Sequence, residues 1–363
     1  MIRYLILLAA LLAGPAAAQS LQGIWKDRGD RIEAADAHIS FPREMAGLRL
    51  TETHEASHKG ESLDNVAEYR SADGALWGSI YVYLPSYGDA ALTEQMTDWT
   101  IHQVYGPKVT RISEGVTAIG GRADAAIRAI YVNGELKDSG PLASGAAFAH
   151  VGRWIVKLRV SGPVARRSEI EAALDAFLST ARIDGKVKTY PVAPLKIADP
   201  CPAPTSGSVA LFNNGKASES VIAETMVAAS ESLGYDPKSK VPTAFPANGL
   251  SAVCLRGDIV IGTAHYKVWQ PSEQREPDII LVQLNDSGDL VTVRKDFMSK
   301  GYTIGKAGIG RFEIYGQIDR IPDNSELTRI LAGGLPGLFD VRASVTLKPN
   351  GDSTINIDPS VLK

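Results

Sequence analysis

Cysteine is almost missing from this chain: Cys201 and Cys254 are the only two in 363 residues. They lack the close spacing of metal-binding or redox cysteine pairs, so the simplest reading is one disulfide in an oxidising compartment. Closing a loop of that length stabilises a fold by roughly 4 kcal/mol in the chain-entropy model. Net charge is also scarce. Lys plus Arg number 38 against 41 Asp plus Glu, a formal charge of −3. Without a clustered basic surface, nucleic acid and anionic membrane are excluded as partners. No stretch after the first 18 residues is apolar for long enough to span a bilayer. There is no Gly-x-Ser-x-Gly nucleophile elbow and no P-loop, and Gly308-Ile309-Gly310 lacks the third glycine of a dinucleotide fingerprint.

The chain does carry a leader. Arg3 is a basic n-region, Leu5 to Leu12 an apolar core, and Ala16-Ala17-Ala18 a small-residue cleavage site. Cleavage leaves Gln19 first and makes the mature protein periplasmic or secreted. A proline-rich run, with Pro191, Pro194, Pro200, Pro202 and Pro204, divides what remains. The expected organisation is a signal peptide over 1–18, an N-terminal α+β domain over 19–185, a linker over 186–208 and a C-terminal α+β domain over 209–363. Each domain is expected to be an antiparallel sheet with packed helices.

The clearest architecture lies between Ala147 and Ala181. Gly152-Arg153 separates two runs of strand formers and suits a type II′ turn. That sets Val151 opposite Trp154, Ala149 opposite Val156 and Ala147 opposite Leu158. Strand alternation puts these on one small, apolar side, where a helix can lie close. Phe148, His150, Ile155, Lys157 and Arg159 share the other side, with the two charges read as solvated. Ile170, Ala173, Leu174, Phe177, Leu178 and Ala181 then form a helical stripe, preceded by a Ser168–Glu171 capping box. A second helix is expected over Ala90–Tyr105, with Leu92, Met96, Trp99 and Gln103 or Val104 on one face. A third is expected over Ser218–Leu233, with Val221, Ile222, Thr225 or Met226, and Ala229 on one face. A short helix over Ser325–Leu331 is capped at Asn324 or Ser325. Asn133-Gly134 reads as a hairpin turn, as do Asn285–Asp289 and Asn350-Gly351.

Several short motifs carry a resemblance. Ile39-Ser40-Phe41-Pro42, Gly47-Leu48-Arg49-Leu50, Tyr81-Val82-Tyr83-Leu84 and Val156-Lys157-Leu158-Arg159-Val160 before a closing helix look like the PsbP-type α/β/α sandwich, over about residues 38–183. That group consists mostly of accessory and adaptor proteins and exported bacterial proteins. The resemblance implies a binding or assembly role without naming a partner, and it supplies no catalytic residue. An envelope protein or a small ligand is the expected partner.

Two other readings compete. His54-Glu55-Ala56-Ser57-His58 matches the zinc metallopeptidase pattern, with His54 and His58 as ligands and Glu55 activating water. That chemistry needs a helix through residues 50–60, whereas the preceding Leu48–Thr53 run alternates like a strand. Trp77, Tyr81 and Tyr83 line one side of a strand and would suit a small-ligand carrier if their rings face a cleft. Asp286, Gly288 and Asp289 read as a turn, and the isolated His102 and His265 as structural.

Overall fold

The computed structural model describes residues 24–56, 61–136, 140–198, 201, 207–212, 217–232, 250–271 and 279–362. Residues 1–18, read from the sequence as a leader, and His58 lie outside them. The fold is α+β and dominated by antiparallel sheets, with few helices. A small four-stranded sheet joins Trp25–Asp27, Arg31–Ala34, Ile39–Pro42 and Arg182–Ile183. An eight-stranded sheet runs in the order Glu44–Met45, Leu48–Glu55, Asp64–Ser71, Trp77–Tyr83, Trp154–Pro163, Gly140–Val151, Arg122–Leu136 and Thr110–Ile119. A nine-stranded sheet follows chain order: Lys196–Ala198, Ala252–Ile261, Ala264–Pro271, Ile279–Gln283, Leu290–Lys295, Tyr302–Gly308, Arg311–Ile318, Ala343–Leu347 and Ser353–Ile357. Its first pair is parallel and the rest are antiparallel. The helices are α1 (Ala90–Tyr105), α2 (Arg167–Thr180), α3 (Ala217–Ser232) and α4 (Asn324–Leu331).

The Gly152 hairpin has the expected register, Val151 to Trp154, Ala149 to Val156 and Ala147 to Leu158. Gly152 takes φ +61°, as a II′ turn requires. The small side accepts α2 closely. A Cβ on Gly145 would lie 3.0 Å from Leu174, and one on Gly78 would lie 3.0 Å from Phe177. All six residues of the α2 stripe are buried. The capping box does not form: a 3₁₀ turn over Val164–Arg166 runs straight into α2, so no side chain caps it. Arg166 instead pairs with Glu169 and Asp73, each at 2.6 Å.

On the other side of the sheet, α1 packs on Ile127, Ala129, Tyr131, Ala146 and Phe148. Its first two turns are buried all round, because the nine-stranded sheet meets them from above. Gln283, itself fully buried, donates to the Met96 carbonyl at 2.8 Å. Asp89 caps α1 through the Leu92 amide and also accepts the Leu250 amide, at 3.0 and 2.7 Å. Glu94 is fully buried within α1, where Arg111, Tyr131 and Gln95 all donate to it. Periodicity alone could not foresee a helix covered on two sides. Val104, expected inside, is 65% exposed beyond the reach of either sheet.

Other expectations are corrected. Asn133-Gly134 sits inside the continuous strand Arg122–Leu136, where Asn133 Oδ1 accepts the Leu142 amide; no turn forms there. Val221, Thr225 and Ala229 of α3 are buried as expected, but Ile222 and Met226 are exposed while Glu224 turns inward. The reason is a buried ion pair between Glu224 and Arg294, which fixes the helix rotation. Asp323 caps α4 through the Glu326 amide, in place of Asn324 or Ser325. The loops at Asn285–Asp289 and Asn350-Gly351 are hairpin turns as expected.

Cys201 and Cys254 form a disulfide. It lies at the parallel strand pair in which Ala198 faces Cys254. Within the proline-rich run, Tyr190 and Leu195 are buried and Lys196–Ala198 adds an edge strand. The largest apolar cluster extends from Ile24 through Phe177 and Trp269 to Val345. Among the described residues, no helix is long and apolar enough to cross a membrane.

Phe177 has no exposed surface and meets Tyr69 edge-on, with ring centroids 5.1 Å apart. Phe177→Ala is expected to cost about 3–5 kcal/mol. Urea unfolding of the purified protein measures this, and a loss below about 1 kcal/mol would show that α2 is not docked in this way.

Candidate functional site

The most distinctive chemistry lies where the nine-stranded sheet meets the uncovered part of the eight-stranded sheet. Strand register builds the floor. One row across the sheet reads Phe148, Lys157, Tyr81, Val66 and His54, and the next reads His150, Ile155, Tyr83 and Asp64. Lys157 is 7% exposed, so it is not the solvated charge expected from its strand. Its ammonium lies 2.5 Å from Asp286 Oδ2, and 5.6 and 6.0 Å from the ring centres of Tyr81 and Phe148. Burial pushes the Lys157 ammonium down, and Asp286 opposes that shift. Burial pushes the Asp286 carboxyl up, but the charge of Lys157 outweighs this and holds it below the usual range.

Asp286 reaches Lys157 because its loop is tightly built. Asn285 Oδ1 accepts the amides of Ser287 and Asp289 at 2.9 and 3.2 Å, and Asn285 Nδ2 donates to Asp289 at 2.8 Å. A second turn, at Ile309-Gly310, docks beside it. Pro85 bridges to Ile309, and Ser86 exchanges hydrogen bonds of 2.9 Å with the carbonyl and amide of Gly308. Gly310 has φ +68°, and a Cβ there would come within 2.3 Å of Leu63. Only glycine allows this approach.

Between the two turns and the start of the Asp64 strand lies a cleft of about 420 Å³, lined from both sheets. Its wall carries four acids, Glu61, Asp64, Asp289 and Glu313, and two bases, Lys306 and Arg311. Arg311 and Glu313 pair with each other at 3.0 Å. Burial pushes the Asp64 carboxyl up to about 6, and Glu55 and Asp289 add to this while Lys157 and His54 oppose it. The Asp64 carboxylate accepts no hydrogen bond from the described residues.

The residues singled out from the sequence are divided by this geometry. His54 and Glu55 lie on the extended strand Leu48–Glu55, where neighbouring side chains point to opposite faces. The helix that a His-Glu-x-x-His zinc site requires is therefore absent at His54 and Glu55, and this overturns the zinc hydrolase reading. His54 instead lies 3.5 Å from Glu52, and together with Glu68 these place three donor atoms within 4.8 Å of one another. Tyr83 is 2% exposed beneath the Asp286 loop and cannot belong to an open platform. Trp77 and Tyr81 are half-buried on the same face. His102 bonds the Asp98 carbonyl in α1, as a structural histidine does.

Sequence reasoning missed Asp64 and the partnership of Lys157 with Asp286. The one available signal was a pair of charges, Lys157 and Arg159, in a largely apolar strand. No protein-family model matches the chain, and searches of curated proteins and of solved structures find no match.

Two predictions follow from the charges. Lys157→Met leaves Asp286 without its cation and is expected to cost about 2–4 kcal/mol, less than a fully buried pair because Asp286 keeps some exposure. Adding Asp286→Leu should restore most of the loss in chemical unfolding. An uncorrected double variant would show that the pair supplies stability outright. The second concerns Asp64. Between pH 3.8 and about 6 the folded chain keeps a proton on Asp64 that the unfolded chain has released. Stability therefore falls as pH rises through that window and stays lower above it. Asp64→Asn should raise stability near neutral pH by about 1–3 kcal/mol, with the gain vanishing below about pH 4. Melting curves across pH test this, and a gain that persists in acid would contradict it.

Proposed function

We propose that this is an exported, non-catalytic binding protein, and that its ligand site is the cleft between the two turns and Asp64. The observation that carries this reading is a polar cleft of about 420 Å³ walled by segments of both large sheets. Ligand sites favour such junctions, because side chains from separate elements can converge there. We further read the chain as two α+β domains, residues 19–185 and 209–363, joined by the run over 186–208. The first domain is read as PsbP-like. The support for this is an eight-stranded antiparallel sheet with α1 on one face and α2 on the other, and a group resemblance that points to accessory proteins. The leader pattern and the disulfide favour a periplasmic or secreted location.

The test is a thermal-shift screen of the mature chain, residues 19–363, against small polar metabolites, with Ser287→Trp as a variant that fills the cleft. At least one compound should raise the melting temperature of the parent protein and leave that of the variant unchanged. Stabilisation that survives in Ser287→Trp would move the site elsewhere. Turnover of any stabilising compound by the pure protein would end the non-catalytic reading.

A further inference from the structure

We infer that the cleft takes a small organic cation, a ligand bearing an ammonium group, with Asp64 as the carboxylate that receives it. This rests on the reading of the cleft as the ligand site. Four acids and two bases line the wall, and one of those bases, Arg311, is already paired with the acid Glu313. Of the remaining acids, Glu61 is exposed at the rim and Asp289 is held by Asn285 Nδ2. Asp64 differs, since its carboxylate lines the cavity without a hydrogen-bond donor among the described residues. The nearby buried cation is no substitute, because Lys157 is committed to Asp286 at 2.5 Å. Glu55 and Asp289 stand close enough to Asp64 to add negative potential. A desolvated carboxylate in a field of its own sign favours a donor that brings positive charge.

The donor geometry selects an ammonium over a metal ion. Among the described residues, Asp64 belongs to no set of three His, Cys, Asp or Glu donors close enough to share one ion. One carboxylate suits the three N–H donors of a primary ammonium, whereas hard divalent cations require six or more oxygens. The rest of the ligand would meet Asn285, Ser287 and Lys306 across the cleft. Those groups favour hydroxyl, amide or carboxylate substituents over an apolar body. Simple diamines and basic amino acids are the nearest chemical models.

The experiment is isothermal titration of the mature chain with 1,4-diaminobutane, L-lysine, glucose, L-glutamate and calcium chloride, each at up to roughly 10 mM. The inference expects the diamine or lysine to bind. Affinity should fall about tenfold or more in Asp64→Asn, the scale of a lost charge-assisted hydrogen bond. Binding should vanish in Ser287→Trp and be unchanged in Glu52→Gln, which lies outside the cleft. The stability of Asp64→Asn is followed in parallel, so that a folding defect is not mistaken for lost recognition. Glucose or glutamate binding that Ser287→Trp abolishes would keep the cleft and overturn the cation. Calcium binding that depends on Asp64 would also overturn it. Cation binding insensitive to both Asp64→Asn and Ser287→Trp would remove the cleft reading itself. Failure of both cations to bind overturns the inference.

Discussion

Lys157 brings a buried positive charge to a sheet face between the rings of Phe148 and Tyr81, and the junction of the two large sheets is arranged around neutralising it. A lone ammonium there would be costly to desolvate. Asp286 supplies the counter-charge from a strand pair more than a hundred residues later, through a turn that Asn285 holds in shape. The pair therefore also fixes where the nine-stranded sheet meets the eight-stranded one. Buried ion pairs contribute less to stability than to register, since desolvation offsets most of the Coulomb gain. Gln283, two residues before the loop begins at Asn285, reinforces the same register by bonding the Met96 carbonyl of α1.

The two faces of the eight-stranded sheet solve different packing problems. One is lined by Gly78, Gly145, Ala147 and Ala149, so α2 approaches until Phe177 and Leu174 touch backbone. The other bears Phe148, Tyr131 and Lys157 and is shared between α1 and the nine-stranded sheet. Where these two covers stop short, polar groups remain. Asp64 and Asp289 face the same space from opposite sheets, and neither carries the apolar surface that would draw the walls together. The cleft is a consequence of that charge pattern, bounded by the tight contact of Gly310 with Leu63 on one side.

Charge burial also explains α3. Amphipathic periodicity favours turning Ile222 and Met226 inward, yet Glu224 faces the sheet because Arg294 is there to receive it. Arg294 also packs on Phe297, and the neighbouring Asp296 accepts bonds from Ser220, Thr303 and Gln317. A polar network at this junction outweighs the apolar pattern of a single helix, since leaving either buried charge unpaired costs more than exposing two aliphatic side chains.

The sequence by itself determined the local architecture. Gly152 set the hairpin and its register, the spacing from Ile170 to Ala181 set the face of α2, and two isolated cysteines set the disulfide. Each depends on near neighbours in the chain or on simple pairing, and backbone geometry with periodicity is enough to read it. Only the tertiary structure decided the partners of charged groups. Nothing near Lys157 in sequence announces Asp286, nothing near Glu224 announces Arg294, and nothing near Asp64 announces the Asp289 loop. His54-Glu55-x-x-His58 failed for the converse reason. Its letters fit a helix, while pairing of Glu52 and His54 with Glu68 and Val66 across the sheet holds the chain extended. Long-range contacts are fixed by topology and desolvation, and those act only once the sheets have met.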